Sequence, residues 1–190
     1  MFKLRYTTTS AWTEKVLSDF DAFLLDHAAA EKKASGMAIS MLSHYPDREA
    51  LVKAMIDLSI EEMTHFREVV KIMTERGLIL GADSKDHYVL DLRKHMRKGS
   101  DVYFLDRLII GGIIEARGCE RFGLIAEALP EGDLKKFYTA ITESESRHEN
   151  LFIDLAELYF DKQVVDIRLD ELLDEEAKIC CALPITAALH

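Results

Sequence analysis

Apolar residues recur at three- and four-residue steps over two long stretches of this chain, and a single proline cuts each stretch near its middle. Such steps line one face of an α-helix. The first stretch runs from about Trp12 to Arg76, with Leu17, Phe20, Leu24 and Ala28 in step. Pro46 divides it. The residue before a proline disfavours helix and proline suits a first helical turn, so one helix is predicted to end near His44 and the next to begin at Asp47. Gly77 stands where a C-terminal cap is needed. The second stretch opens at Ser100 and Asp101, read as an N-cap pair, and runs to about Tyr159 with a break over residues 129–133, which contain Pro130 and Gly132.

Short breaks make antiparallel neighbours, so each stretch is read as a helical hairpin, and residues 78–99 become the longer crossover between them. Beyond Asp161 a shorter amphipathic segment, 165–179, is rich in Asp and Glu and is expected to pack on the outside. The prediction is an all-α, four-helix bundle of two antiparallel hairpins over about residues 12–160, with a C-terminal extra helix within an extension at 161–190. One domain suffices for 190 residues. A composition 48% apolar and 31% charged, with three prolines and nine glycines, excludes disordered and collagen-like classes. No apolar run reaches the roughly 18 residues of a membrane span, and no signal-peptide core opens the chain, so a cytoplasmic location with no membrane partner is expected. Cys119, Cys180 and Cys181 suggest no disulfide framework and fit a reducing compartment.

Glu62-x-x-His65 and Glu145-x-x-His148 each place a carboxylate and an imidazole on one helix face, a turn apart. In a chain with 34 acidic residues and seven histidines, two such pairs are weak evidence alone. The turns add more. Glu31 lies 15 residues before Pro46 and Glu62 lies 16 after it, while Glu115 and Glu145 each lie 15 residues from Pro130. Antiparallel helices place such residues at one height, roughly 22 Å from the turn at a rise of about 1.5 Å per residue. Isolated carboxylates do not belong there, because burying them uncompensated is costly. Four carboxylates and two imidazoles in one layer is the pattern by which ferritin-like proteins hold two metal ions. Hard oxygen donors with one imidazole per ion suit iron or manganese, and two iron ions are the first choice. Glu61, Glu143, Glu120 and Glu127 fit less well by direction or height. Small residues flank two of the ligands: Ala28, Ala34 and Ala38 around Glu31, and Gly111, Gly112, Gly118 and Cys119 around Glu115. Either they keep space for dioxygen or substrate, or they let helices pack closely. Cys119 either borders the metal pocket or is a small buried hydrophobe.

The segment from Gly111 to Phe122, GGIIEARGCERF, resembles the signature around the third-helix ligand of the tRNA hydroxylases that act on 2-methylthio-N6-isopentenyladenosine at position 37. The resemblance extends to Glu61-Glu62-Met-Thr-His65-Phe66, to Phe137-Tyr138 and to Ser144-Glu145-Ser-Arg-His148. It implies a ferritin-like, non-haem di-iron monooxygenase that hydroxylates the isopentenyl side chain using O2 and an external electron donor, with all six ligands carried over.

Such a substrate needs a cationic surface, although the net charge of −10 repels polyanions on average. The densest basic run holds Arg93, Lys94, His95, Arg97 and Lys98, in the crossover. Arg93, Lys94, Arg97 and Lys98 are the candidate contacts to the tRNA anticodon loop; the alternative is a solvated loop. Lys32, Lys33, Arg117, Arg121 and Arg147, near the ligand layer in sequence, are second-choice contacts or partners of buried acids. A ferritin-like iron oxidase or store, and a di-iron oxygenase or peroxidase for a small apolar substrate, remain alternatives. The oligomeric state is left open.

Overall fold

In the computed structural model, which describes residues 2–190, the described residues form seven α-helices and no strand. They are α1 (Ser10–Ser18), α2 (Phe20–His44), α3 (Glu49–Glu75), α4 (His87–Arg93), α5 (Ser100–Ala128), α6 (Asp133–Tyr159) and α7 (Lys162–Ala182). The chain falls into two compact units. One holds Glu14–Ser84 and Thr186–Leu189; the other holds the chain up to Thr13, Lys85–Ile185 and His190.

The first unit is the α2/α3 hairpin. Along α3 the buried side chains are Leu51, Met55, Leu58, Glu62, His65, Val69 and Met73, a stripe of three- and four-residue steps. On α2 the matching stripe includes Leu24, Ala28, Glu31, Ser35, Ala38 and Met41. Three of the predicted ligands thus occupy positions that apolar residues fill elsewhere on the same stripes. One turn from Glu31, Ser35 Oγ donates to the Ser59 carbonyl oxygen at 2.9 Å and fixes the register of the two helices. The helix ends at His44 as expected, but α3 starts at Glu49, because Tyr45–Arg48 form a hydrogen-bonded turn, with the Arg48 amide donating to the Tyr45 carbonyl at 3.1 Å. Gly77 closes α3 with φ +73° and two amide bonds, Gly77 to the Thr74 carbonyl and Leu78 to that of Met73. This is the Schellman arrangement, which needs a left-handed residue. The helical stretch from Trp12 is interrupted at Asp19, where the amide of Asp19 bonds Val16 three residues back and ends α1.

The second unit is the α5/α6 hairpin with α4 and α7. Gly99, with φ +120°, precedes α5, so Ser100 is inside the helix and not its cap. The crossover contains a helix that the pattern did not suggest. Asp86 caps α4 by accepting from the Val89 amide at 2.9 Å, and its two buried residues, Tyr88 and Leu92, are too few to show a periodicity. α7 is longer than expected and more deeply engaged, burying Val165, Leu169, Leu172, Leu173, Glu176 and Cys180. Its Glu176 accepts from Arg117 Nε at 2.8 Å, Tyr88 Oη at 3.1 Å and Cys180 Sγ at 3.0 Å. Arg117, fully buried, also donates to the Tyr6 carbonyl and to Glu120. The N-terminal segment, α4, α5 and α7 are therefore tied through one buried ion pair.

Of the small residues around Glu115, Gly111 and Gly112 resolve in favour of packing, whereas a Cβ on Gly118 would meet only the Phe122 ring, at an ordinary 3.8 Å. A Cβ on Gly111 would meet the ring of buried Phe152 at 2.9 to 3.1 Å, and one on Gly112 would lie 3.3 Å from the Glu149 carbonyl oxygen. α5 and α6 approach so closely there that a side chain at either position would have to displace Phe152 or the Glu149 backbone. No described helix is long and apolar enough to cross a membrane.

Candidate metal centre

In the α2/α3 unit Glu31, Glu62 and His65 are buried and offer ligand atoms within 4.8 Å of one another. His65 Nδ1 lies 3.6 Å from Glu31 Oε2 and 3.7 Å from Glu62 Oε2. In the α5/α6 unit Glu115, Glu145 and His148 do the same, with His148 Nδ1 3.2 Å from Glu145 Oε2 and 3.9 Å from Glu115 Oε2. Each hairpin alone therefore assembles two carboxylates and one imidazole on its buried stripe. With neutral imidazole each set carries two negative charges out of water, which is expensive without a counter-charge. A divalent cation would balance each set. Two oxygen donors and one nitrogen per ion, with no thiolate, suit iron or manganese. The donor chemistry fits a di-iron centre.

Sequence reasoning missed His27. It is fully buried on α2, four residues before Glu31 on the same face, and its Nε2 lies 2.6 Å from Glu31 Oε1. The signal was present as the i, i+4 spacing, but a lone histidine without a second acid gave no pattern to match. Glu149, next to His148, is also buried, and burial raises its carboxyl above the ordinary value.

Other candidates go elsewhere. Arg117 binds Glu176 and Glu120. Arg121 stacks over Trp12 at 5.0 Å, and burial first, then the Arg117 charge, lower its pKa. Arg147 donates to the Glu143 carbonyl and Ser144 Oγ. Lys32 bonds Asp83 and Lys33 the Ser84 carbonyl, tethering the start of the crossover to α2. Cys119 donates to the Thr142 carbonyl at 3.5 Å; burial, then Glu149, Glu145 and Glu115, push its thiol up to about 12. It behaves as a protonated packing residue.

In the basic run, Arg93 ends α4 and is exposed, Lys94 pairs with Asp91 at 2.5 Å, and Lys98 is exposed. Arg97 differs. Its amide and guanidinium both donate to buried Asp106, at 2.7 Å each, and Arg168 reaches the same carboxylate and the His95 carbonyl oxygen. The loop is pinned from beneath.

Over residues 2–190 the sequence matches the family model described as tRNA-(MS[2]IO[6]A)-hydroxylase (MiaE). The chain belongs to this family. A tRNA 2-(methylsulfanyl)-N(6)-isopentenyladenosine(37) hydroxylase of Pseudomonas putida is 36% identical over 155 residues, covering 82% of this chain and 75% of that protein. The protein of the same name from Salmonella typhimurium is 33% identical over 132 residues, 70% of this chain, which spans only 48% of that longer relative. Among solved structures, a Synechococcus protein with aldehyde deformylating oxygenase activity matches at TM-score 0.94 and 32% identity, covering 100% of this chain and 96% of its own. The fold class is thus all-α and ferritin-like. For the hydroxylase family, the segments that carry the resemblance fall on α3, α5 and α6, the helices that bear five of the six candidate acid and histidine ligands.

Proposed function

We propose that this protein hydroxylates the isopentenyl side chain of 2-methylthio-N6-isopentenyladenosine at position 37 of tRNA, at a di-iron centre for which each hairpin supplies two carboxylates and one histidine. Membership in the hydroxylase family carries the reaction and substrate. The observation that carries the site is that each hairpin presents two buried carboxylates and a histidine at core positions of its stripe. Glu31, Glu62 and His65 would hold one iron, and Glu115, Glu145 and His148 the other. Iron held this way supplies activation of O2 for attack on an unactivated C–H bond, with an external donor providing the electrons that turn the second oxygen atom into water. The chain's own residues bind, neutralise and orient: the carboxylates set the charge of the centre, and the apolar stripes above and below exclude water.

Arg93, Lys94 and Lys98 are assigned to the tRNA backbone, with Arg97 shaping the loop that presents them. A tRNA substrate places the work in the cytoplasm. Two measurements test the reading. Metal analysis should find two irons in the native protein and about one fewer after Glu115→Ala or His148→Ala, with helix content retained because the apolar stripes do most of the packing. Nucleoside mass spectrometry of tRNA from a strain lacking the gene should show the hydroxylated adenosine gone; an unchanged profile sinks the substrate assignment. Removing Arg93 or Lys98 should lower the slope of log affinity against log salt by roughly 0.9 per lost phosphate contact.

A second reading has one specific observation behind it, the full-length likeness to a protein with aldehyde deformylating oxygenase activity. It uses the same centre on a small apolar aldehyde. Turnover of a long-chain aldehyde in the absence of tRNA, with no activity on isopentenylated tRNA, would favour it.

A further inference from the structure

The two hairpins carry equivalent ligands, yet the residue four positions before each lone glutamate differs. Before Glu31 stands His27; before Glu115 stands Gly111. Four residues along a helix is one turn on the same face, so each of these positions lies directly against its glutamate. His27 fills its position with a fully buried imidazole whose Nε2 lies 2.6 Å from Glu31 Oε1. At Gly111 the corresponding volume is taken by the Phe152 ring, 2.9 to 3.1 Å from where a Cβ would be. One glutamate thus has a hydrogen-bonding imidazole behind it, and the other has a glycine backed by an apolar ring.

We infer that His27 is a positioning residue for the metal position of the α2/α3 hairpin, holding the Glu31 carboxylate in the orientation of a ligand; the inference rests on the di-iron reading above. A metal-bound carboxylate is an acceptor, so His27 must donate from Nε2, which settles the tautomer. Oε1 is then engaged by the imidazole, and Oε2, 3.6 Å from His65 Nδ1, is the oxygen turned toward the other ligands. Hydrogen bonds to first ligands orient them and commonly tune affinity by about 10–100-fold. His27 therefore acts on the ion that Glu31, Glu62 and His65 would hold.

The test is metal binding, independent of turnover. Metal-free protein is titrated anaerobically with Co(II), followed by its visible absorption, and reloaded with Fe(II) for Mössbauer spectroscopy. Wild type should bind two ions. His27→Leu, which keeps the volume and removes the donor, should weaken one of the two affinities by roughly 10–100-fold and leave the other unchanged. His27→Gln, whose amide can donate from a similar position, should restore most of the loss. Circular dichroism checks folding, and His27→Met replaces His27→Leu should that variant not fold. Unchanged affinities in the apolar variants overturn the inference, as does an equal fall in both, which would mark a purely structural role. Failure of wild type to bind any ion overturns the di-iron reading itself and the inference with it, and is distinguishable because it appears before any variant is made.

Discussion

Gly36 and Gly111 both sit inside long helices, and their surroundings give alanine opposite effects at the two positions. Glycine in a helix interior costs about 1 kcal/mol relative to alanine. A Cβ at Gly36 would meet nothing within 4 Å, so Gly36→Ala should realise that gain. At Gly111 the added carbon would stand 2.9, 3.0 and 3.1 Å from three atoms of the Phe152 ring, which is itself 0% exposed. Overpacking of this kind costs about 1–3 kcal/mol, which exceeds the propensity gain by roughly 1 kcal/mol. For a chain of this size about 1 kcal/mol moves Tm by roughly 2–4 °C, so Gly36→Ala should melt higher and Gly111→Ala lower than wild type by about that amount each. Differential scanning calorimetry of the metal-free protein reads both. Pairing Gly111→Ala with Phe152→Leu should recover part of the loss, because the two sites are in contact and do not add. If Gly111→Ala stabilises as much as Gly36→Ala, close helix packing is not the reason for the glycine, and space kept for a ligand becomes the better account.

Removing the charge of fully buried Arg117 strands Glu176, so Arg117→Met should destabilise by about 3–5 kcal/mol in urea unfolding, while Arg117→Met with Glu176→Met should lose much less; equal losses would show that the pair is not the cause. Burial acts to raise the Asp106 pKa, but hydrogen bonds from Arg97 and Arg168 outweigh it and hold it below the ordinary 3.8. A depressed carboxyl stabilises the fold above its unfolded pKa and loses that stabilisation as pH falls through the folded one, so Asp106→Asn should cost about 2–3 kcal/mol at neutral pH and progressively less below about pH 4. A pH-independent difference between the two proteins would refute this. With its thiol pushed up to about 12, Cys119 should resist iodoacetamide near pH 8 in the folded, metal-free protein while exposed Cys181 reacts, as peptide mass spectrometry will show.

Much of the architecture could be read from the chain because hairpin geometry is local. Pro46 and Pro130 mark the turns, the three- and four-residue steps mark the buried stripes, and counting from the turns puts Glu31 level with Glu62 and Glu115 level with Glu145. These relations need only helix rise and antiparallel pairing. The same counting could not reveal α4, whose seven residues hold two buried apolar positions. Nor could it show that the cap of α5 is Gly99, since Ser100 and Asp101 satisfy the capping preference equally well on paper.

What the sequence determined by itself is the helical class and the two hairpins, which follow from spacing along one chain, and the family, which its motifs carry; the same spacing picks out the six candidate ligands. The tertiary structure alone decided the partners of side chains whose neighbours are distant in sequence. Arg117 finds Glu176, 59 residues away, and not Glu115. Arg97 turns inward to Asp106 and leaves Arg93 and Lys98 facing solvent. Gly111 is explained by the ring of Phe152, and His27 gains its meaning from the rotamers that bring its Nε2 onto Glu31. The physical reason is common to all of them: backbone periodicity is set by hydrogen bonds three or four residues apart, whereas buried charge must find its counter-charge wherever packing brings one.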